Sequence, residues 1–271
     1  MTMHETLASI KMSHKPLISW ILCTHVWSDY LRDSIQSCLD QTYQNFELII
    51  VINGESIDFI EKKIIELYLN DKRIRIYKTK IRHLNFSLNL ALHCSQGEYI
   101  ARMDGDDISE PLRLENQVKF MEANPQVMVL GTAFKLMDSE GKISELIQNP
   151  ISNIEIRKSL YFKNPINHPS SMLRKNNLLK IGGYLGGLHA EDYDLWCRLS
   201  LDDSYEFANL SEAYLRYRQV GVGVARKSVF AYVTQAASQL TMFLLTFKIR
   251  WLGGLALSVG KVIFLAIGKR I

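Results

Sequence analysis

The sequence predicts an α/β protein with a mixed, mainly parallel sheet and helices on both faces. Over the first hundred residues, short continuous apolar runs alternate with segments whose apolar residues recur every three or four positions. The order is strand, helix, strand, helix, strand, helix, strand, and strands buried on both faces are continuous apolar runs of this kind. With 271 residues, of which 47% are hydrophobic and 22% charged, the chain has a globular composition and is long enough for one large domain with an appendage.

Four strands and three helices are predicted in this first part. The predicted strands are 17–23, 46–52, 74–78 and 99–103. Three helical patterns separate them: one capped by Ser28, one over 57–69, and one that begins near Leu84 and is ended by Gly97. Asn53 starts a turn at the carboxyl end of the second strand.

The following part predicts a helix, a strand and a hairpin. The helix is opened by Pro111 and ends before Pro125, and a strand over 127–132 comes next. The runs 134–137 and 142–146 flank a turn and indicate a hairpin. A hairpin in this place usually lies at the far edge of a mixed sheet.

An acidic loop follows the fourth strand. Asp104, Asp106 and Asp107 come directly after the apolar run 99–103, and ligand sites in open α/β sheets lie at the carboxyl ends of strands. In an extended segment Asp104 and Asp106 point the same way. Neighbouring carboxylates suit Mg²⁺ or Mn²⁺, which would bring phosphate oxygens as further ligands. The alternative is a polar turn, since Asp and Gly are common turn formers.

A second acidic cluster crowds the start of a later helical pattern. Its members are Glu191, Asp192 and Asp194. Acidic residues in a first helical turn can simply complement the helix dipole. However, a glycine-rich stretch over 182–187 precedes them, and Tyr193 and Trp196 can partly desolvate them. A carboxylate held in this way at the mouth of a cleft could serve as a general base.

Charge is distributed unevenly along the chain. The net charge is +4, yet residues 213–271 hold nine basic residues and no acidic one. The remainder therefore holds 23 basic and 28 acidic residues, a net charge of −5. A basic, apolar tail favours a membrane surface with anionic lipids. Nucleic acid is not the expected partner, because the basic residues alternate with aliphatic runs.

The remaining composition favours a cytoplasmic protein. Four cysteines are scattered without CxxC spacing: Cys23, Cys38, Cys94 and Cys197. Neither a zinc site nor a disulfide framework is indicated. Residues 1–15 form a polar extension without the apolar core of a signal peptide.

The tail contains two helical patterns. From Val229 to Phe247 the pattern is amphipathic, and 251–268 is apolar except for Lys261. Eighteen residues are at the lower limit for a membrane span. Three interpretations remain open: association with a membrane surface, packing on the main domain or in a homo-oligomer, and a true span.

Several motifs together carry a resemblance to a known family. They are Leu17-Ile-Ser-Trp-Ile-Leu-Cys-Thr24, Gln41-Thr-Tyr-Gln-Asn-Phe-Glu47, Gly97-Glu-Tyr-Ile-Ala-Arg-Met-Asp-Gly-Asp-Asp107, Pro111-Leu-Arg-Leu-Glu-Asn-Gln117, Asn164-Pro165, His168-Pro-Ser170, Gly182-Gly-Tyr184 and Glu191-Asp-Tyr-Asp-Leu-Trp196. In this order, over about 16–218, they resemble the family 2 glycosyltransferases, inverting enzymes of the GT-A fold, of the bacterial surface-polysaccharide type. The ordered set is more specific than any single motif.

The resemblance implies roles for individual residues. Thr24 and Asn53 would line the nucleotide base and ribose of a nucleoside-diphosphate sugar, most readily a UDP-sugar. Asp104 would contact the ribose or donor sugar, and Asp106 would hold a divalent ion, Mn²⁺ or Mg²⁺. Asp192 would be the catalytic base.

The acceptor side and the domains are implied in the same way. Glu191 is the alternative base or the orienting partner of Asp192, and His168 and Trp196 are assigned to the acceptor side. Residues 16–220 would form the glycosyltransferase domain and 221–271 a basic, apolar helical tail. An enzyme of this kind would work at the inner face of the cell membrane on a glycan or lipid-linked acceptor.

The chain departs from the family pattern at several positions. Ile52 stands where an acidic residue is common and cannot bond a nucleotide base, and His83 stands where a glycine is usual. Val220 replaces a histidine that can ligate the metal, so the site could be completed by water or by another group. His168 is one candidate for that group, and a structural or acceptor-binding role is the alternative.

Other functions are weaker interpretations. A sugar-phosphate nucleotidyltransferase needs a glycine-rich, basic loop after the first strand, and 24–27 holds none. A phosphatase with an Asp nucleophile would carry its acidic loop after the first strand. A membrane-associated protein that binds nucleotide sugars without catalysis remains an alternative, because loss of ligand groups weakens metal affinity.

Overall fold

The computed structural model describes residues 15–187, 189–219 and 229–268. Its strands are β1 (Ile18–Thr24), β2 (Phe46–Asn53), β3 (Ile74–Thr79), β4 (Tyr99–Met103), β5 (Ile108–Ser109), β6 (Val127–Met137), β7 (Ile143–Ile147), β8 (Met172–Arg174) and β9 (Glu206–Arg218). Most of the predicted extension 1–15, the junction at 220–228 and therefore Val220 lie outside the described residues.

Nine α-helices occur in the described part of the chain. They are α1 (Asp29–Leu39), α2 (Ile57–Tyr68), α3 (Leu84–Cys94), α4 (Arg113–Ala123), α5 (Asn153–Leu160), α6 (Lys175–Lys180), α7 (Glu191–Leu199), α8 (Val229–Thr246) and α9 (Arg250–Gly268). Ser28 caps α1 as expected, because its side chain accepts a hydrogen bond from the backbone N–H of Leu31.

One mixed sheet organises the molecule. The strand order is β3-β2-β1-β4-β8-β6-β9-β5, and β7 pairs with β6. Strands β3, β2, β1 and β4 are parallel, whereas β8 runs antiparallel to both β4 and β6. Ile18 is level with both Phe46 and Tyr99. The carboxyl ends of the parallel strands therefore meet at one edge, where the acidic loop lies, and the predicted mixed, mainly parallel sheet is confirmed.

Alternation along β1 divides the core into two layers. Trp20 and Leu22 are fully buried on one face, against residues of α1, α2 and α4. Ile21 is fully buried on the other face, against residues of α3, α5 and α7. The two buried faces explain why these strands are continuous apolar runs.

The structure corrects the predicted edge hairpin. The runs 127–132 and 134–137 form the single strand β6, which lies between β8 and β9. The hairpin therefore begins inside the sheet, and only its second strand, β7, is exposed. The short strand β8 and the long strand β9 were not predicted. β8 has three residues, and β9 mixes polar with apolar positions because part of it is exposed.

The last two described helices form a hairpin on the α7 side of the sheet. Trp251 is buried and its ring centroid lies 4.5 Å from that of Tyr161. A Cβ atom on Gly254 would collide with the backbone carbonyl of Tyr161, so this close approach requires glycine. The two predicted tail helices are thus confirmed, and they are packed on the domain rather than separate from it.

Candidate active site

Two clefts open at the carboxyl edge of the parallel strands. The strand cleft has a volume of about 580 Å³ and is lined by residues that include Cys23, Thr24, Asn53, Arg82, His83 and Asp106. The α7 cleft has a volume of about 510 Å³ and is lined by residues that include Asn164, His168, His189, Glu191, Asp192 and Tyr217. Asp104 and Leu84 line both clefts. The two acidic clusters, 85 positions apart in sequence, therefore face adjoining spaces.

Polar side chains at two strand ends are held in place in the strand cleft. The Thr24 hydroxyl donates to the carbonyl of Val26 at 2.8 Å. Asn53 donates through Nδ2 to the Ser87 hydroxyl at 2.9 Å. Burial raises the pKa of Cys23 to about 12, so this thiol stays neutral and is not a nucleophile. The two strand ends thus contribute polar groups with fixed partners, and the neutral Cys23 thiol contributes no nucleophile.

The acidic loop brings three carboxylates together. Ligand oxygens of Asp104, Asp106 and Asp107 all lie within 4.8 Å of one another. Asp107 is fully buried and its Oδ1 accepts from the backbone N–H of Arg218 at 2.8 Å. The Arg218 guanidinium also donates to the carbonyl of Asp106 at 2.8 Å. Three hard oxygen donors at this spacing fit Mg²⁺ or Mn²⁺.

Arg102 is a buried cation beneath the junction of the two clefts. Its side chain is 1% exposed, and its Nη2 donates to Asp104 Oδ1 at 2.6 Å. Burial alone would lower the pKa of Arg102, but the acidic groups around it, of which the Asp104 carboxylate has the largest effect, together outweigh burial and raise it. Asp104 is therefore oriented by a charged hydrogen bond at the point that both clefts share.

Asp192 is held at the wall of the α7 cleft. Helix α7 begins directly after Ala190, whose φ of 57° is left-handed and unfavourable for a residue with a Cβ. Asp192 accepts from Asn164 Nδ2 at 2.5 Å and from the backbone N–H of Tyr193 at 2.8 Å. Burial and the neighbouring Glu191 carboxylate raise the pKa of Asp192. A more basic carboxylate lining a cleft is suited to proton abstraction.

Glu191 differs from its neighbour. Burial alone would raise the pKa of Glu191, but the imidazole of His168, whose Nδ1 lies 3.6 Å from Glu191 Oε1, together with a backbone hydrogen bond and Arg102 outweighs burial and lowers it. His168 Nε2 lies 3.0 Å from the hydroxyl of the buried Tyr184. Two adjacent carboxylates with pKa values shifted in opposite directions are typical of acid–base sites.

The two residues assigned to the acceptor side lie in different surroundings. His168 lines the α7 cleft, but its ring nitrogens contact Tyr184 and Glu191, and it lies outside the carboxylate cluster. It therefore does not replace Val220 as a metal ligand in this arrangement. Trp196 is fully buried and does not line the cleft, and its ring packs edge-on to His168 at 6.2 Å. Trp196 therefore packs against His168 in the core and does not face the cleft.

Two asparagines of α3 hold the glycine-rich stretch before α7. Asn89 accepts from the backbone N–H of Tyr184 and donates to its carbonyl, both at 2.9 Å. Asn85 donates to the carbonyls of Gly186 and Gly187. The helix that starts at the strand cleft thereby ties down the loop that leads to Asp192.

Several of these residues were missed by the sequence analysis. Arg102 could have been noticed, because a charged residue inside an apolar strand requires a buried partner. Tyr184 was quoted within a motif but given no role, and Arg218 was not singled out. The contact of Asn164 with Asp192 spans 28 positions, and no local pattern indicates it.

Known proteins match the chain over most of its length. The model of glycosyl transferase family 2 matches residues 19–182. The O-antigen biosynthesis glycosyltransferase WbnJ of Escherichia coli is 41% identical over 229 residues, which cover 84% of this chain and 89% of WbnJ. The amylovoran biosynthesis glycosyltransferase AmsE of Erwinia amylovora is 30% identical over 206 residues, covering 75% of this chain and 76% of AmsE.

Solved structures share the fold at low identity. The Staphylococcus aureus TarS fragment 1–349, crystallised with UDP-GlcNAc, superposes with a TM-score of 0.64 at 18% identity and covers 82% of this chain and 66% of that chain. The Pyrobaculum calidifontis mannosyltransferase PcManGT, solved with GDP-Man and Mn²⁺, superposes with a TM-score of 0.60 at 15% identity, and the match covers 94% of this chain and 76% of that chain. With the family match, these neighbours confirm the GT-A fold. The chain belongs to glycosyl transferase family 2 and is a glycosyltransferase.

Proposed function

We propose that this enzyme moves a sugar from a nucleoside-diphosphate sugar to an acceptor hydroxyl with inversion, using Asp192 as the base. The observation that carries the proposal is the position of Asp104, which lines both clefts. A donor in the strand cleft would place its sugar at this junction. An acceptor in the α7 cleft would approach the same point from the side of Asp192.

The strand cleft has the features of a nucleotide site. It lies at the carboxyl ends of parallel strands, where nucleotides bind in open α/β sheets. Thr24 and Asn53 offer hydroxyl and amide groups at its floor, and its volume of about 580 Å³ is within the usual range for cofactor sites. TarS and PcManGT were solved with UDP-GlcNAc and GDP-Man, and a UDP-sugar is the donor proposed here.

The acidic loop would hold a divalent ion. Asp106 is the proposed principal ligand, and Asp104 and Asp107 stand close enough to share the charge. PcManGT was solved with Mn²⁺. A bound Mn²⁺ or Mg²⁺ would supply charge compensation for the departing diphosphate. Arg218 contributes by fixing the backbone and side chain of this loop.

The proton is removed on the acceptor side. Asp192 would take the proton from the attacking hydroxyl while Asn164 and the N–H of Tyr193 hold the carboxylate in place. The contact with His168 lowers the pKa of Glu191 and so favours its ionised form. The negative charge on Glu191 opposes a second negative charge on Asp192, and this repulsion helps to raise the pKa of Asp192. A single displacement inverts the anomeric carbon and needs no nucleophilic side chain.

The place of the reaction follows from the relatives and the tail. WbnJ and AmsE are named for O-antigen and amylovoran biosynthesis, so we assign this enzyme to surface-polysaccharide assembly with a glycan or lipid-linked acceptor. Residues 16–220 are the proposed catalytic domain. Residues 221–271 are the proposed tail that brings it to the inner face of the cell membrane.

The test is calorimetric titration of UDP, GDP and dTDP into the full chain, with and without Mn²⁺. We expect ion-dependent binding of one nucleotide that disappears in Asp106→Asn. The matched control is Asp203→Asn, because Asp203 is 88% exposed and remote in the fold; it should bind like the wild type. Absence of nucleotide binding under every condition would refute the proposal.

A further inference from the structure

Helix α8 places polar residues on the face that meets the protein. Ser238 and Gln239 are buried there together with Met242, and Gln239 is fully inaccessible. Gln239 and Gln235 donate through Nε2 to the backbone carbonyls of Tyr161 and Phe162. These bonds pair the amide nitrogens of both glutamines with backbone carbonyls on the inner side, whereas the buried Gln239 Oε1 has no hydrogen-bond partner among the described residues.

The outer face of α8 is apolar. Phe230, Val233, Leu240 and Leu244 recur at helical spacing and are 62%, 47%, 43% and 58% exposed. In a helix at the surface of a water-soluble domain the apolar stripe faces the core. Here the stripe that should be buried faces outward.

Helix α9 repeats this reversal. Ser258 is only 1% exposed, whereas Leu257 and Phe264 are 54% and 76% exposed. The stretch Arg250–Ile267 has a mean hydropathy of 1.5, and 17% of it is buried. Across both helices and their turn, the exposed large apolar side chains are Phe230, Val233, Leu240, Leu244, Leu245, Phe247, Ile249, Leu252, Leu257, Val259, Ile263, Phe264 and Ile267. A contiguous surface of this kind marks a protein or membrane contact.

We propose that this outer face inserts into the surface layer of an anionic lipid bilayer. The charges on the hairpin favour lipid as the occupant. Lys248, Arg250 and Lys261 are its charged residues, and 229–268 contains no Asp or Glu. Anionic headgroups would supply the missing negative charge. A symmetric dimer through this face would instead bring the basic residues of two hairpins close together, and neither hairpin has an acidic residue to pair with them.

The hairpin also adjoins the α7 cleft. Ala231 lines that cleft. The ring of Phe230 lies 6.5 Å from that of His189, another lining residue, and a Cβ on Gly187 would touch Thr234. Insertion of the outer face would therefore hold the mouth of the acceptor cleft against the bilayer. This inference rests on the proposed function in one respect: a lipid-linked acceptor could then enter the cleft while its lipid stays in the membrane.

The test is flotation of the full chain with vesicles. The probe is a vesicle of about three parts phosphatidylcholine to one part phosphatidylglycerol, compared with phosphatidylcholine alone. We expect flotation with the anionic vesicles, reduced by high salt. The double variant Leu244→Glu with Phe264→Glu, one change on each helix, should lower the ratio of bound to free protein by about tenfold or more.

A matched control separates insertion from general hydrophobicity. Leu67→Glu with Leu69→Glu changes two side chains that are 52% and 74% exposed at the end of α2, on the opposite layer of the sheet. This variant should float like the wild type. Flotation that is absent in the wild type, or lost equally in both variants, would overturn the inference, as would a dimer in light scattering that the hairpin variant converts to a monomer. Nucleotide binding, measured without vesicles, reports on the proposed function separately.

Discussion

The two clefts are constructed in different ways. The strand cleft takes its polar groups from the ends of neighbouring parallel strands, so that sheet register brings Thr24, Asn53 and Asp104 together. The α7 cleft takes its groups from positions far apart in sequence, and hydrogen bonds such as that between Asn164 and Asp192 hold them. Topology therefore assembles the strand cleft, whereas long-range side-chain contacts assemble the α7 cleft.

This difference has an electrostatic counterpart. Beside the strand cleft, three carboxylates share one loop and suit a single cation; Asp104 and Asp106 line the cleft, and Asp107 is fully buried. In the α7 cleft, two adjacent carboxylates are separated in pKa by their surroundings, with Glu191 lowered and Asp192 raised. The first arrangement binds charge, and the second can move a proton.

The largest expected effect separates catalysis from donor binding. Asp192→Asn should lower kcat by about 10²–10⁴-fold, the usual contribution of a general base. Calorimetric binding of the nucleotide should be unchanged, because Asp192 does not line the strand cleft. Glu191→Gln serves as the comparison and should retain more activity. If Glu191→Gln proved the more damaging change, the roles of the two carboxylates would be exchanged.

A second prediction concerns Arg102, which donates to Asp104, a residue that lines both clefts. Arg102→Lys keeps the positive charge but loses the planar fork that binds Asp104. We expect kcat to fall and the donor KM to rise together, each by about tenfold. Steady-state kinetics with both substrates varied would measure this. A change in only one constant would show that Asp104 acts in one cleft alone.

A smaller effect is expected within the α7 cleft. Tyr184→Phe removes the hydroxyl that contacts His168 Nε2 at 3.0 Å. The lost contact should cost about 1–3 kcal/mol of stability, because it leaves a buried imidazole nitrogen unpaired. The acid limb of the pH–rate profile should also shift, since His168 sets the charge of Glu191, while nucleotide binding stays constant. An unchanged profile would make Tyr184 purely structural.

The smallest expected effect concerns stability. Asp192→Asn should stabilise the folded protein at neutral pH although it lowers activity. The pKa of Asp192 is raised above its ordinary 3.8 in the folded state, so its contribution to stability is greatest below 3.8 and is lost as pH rises through the folded value. At neutral pH the buried charge is unfavourable, and Asp192→Asn should raise the Tm by a few degrees, about 1 kcal/mol. Calorimetric melting at neutral and acidic pH should show the difference shrinking as the pH falls.

Sequence reasoning was accurate where local pattern determines structure. Strand β2, predicted at 46–52, is Phe46–Asn53, and α2, predicted at 57–69, is Ile57–Tyr68. These elements follow from apolar periodicity and turn residues. The strand β8 was missed because three residues carry no period, although it joins the four parallel strands to β6.

The candidate site shows the same contrast between features that local sequence predicts and features that packing determines. The acidic loop and the start of α7 were found from their residue types, since carboxylates at a strand end and at a helix start are visible locally. The burial of Trp196 away from the cleft was not predictable, because positions within one helical turn can face either the cleft wall or the core. The reversal of α8 was equally hidden: periodicity shows that a helix has two faces but not which one meets the protein.

Because Asp104 and Leu84 belong to both clefts, a sugar bound in the proposed donor cleft would form part of the wall that the acceptor meets. The acceptor would then encounter a complete pocket only when the donor is present. This geometry favours a compulsory order of substrate addition, donor first. By thermodynamic reciprocity, a saturating acceptor analogue should increase the affinity for the donor by the same factor by which the donor increases the affinity for that analogue.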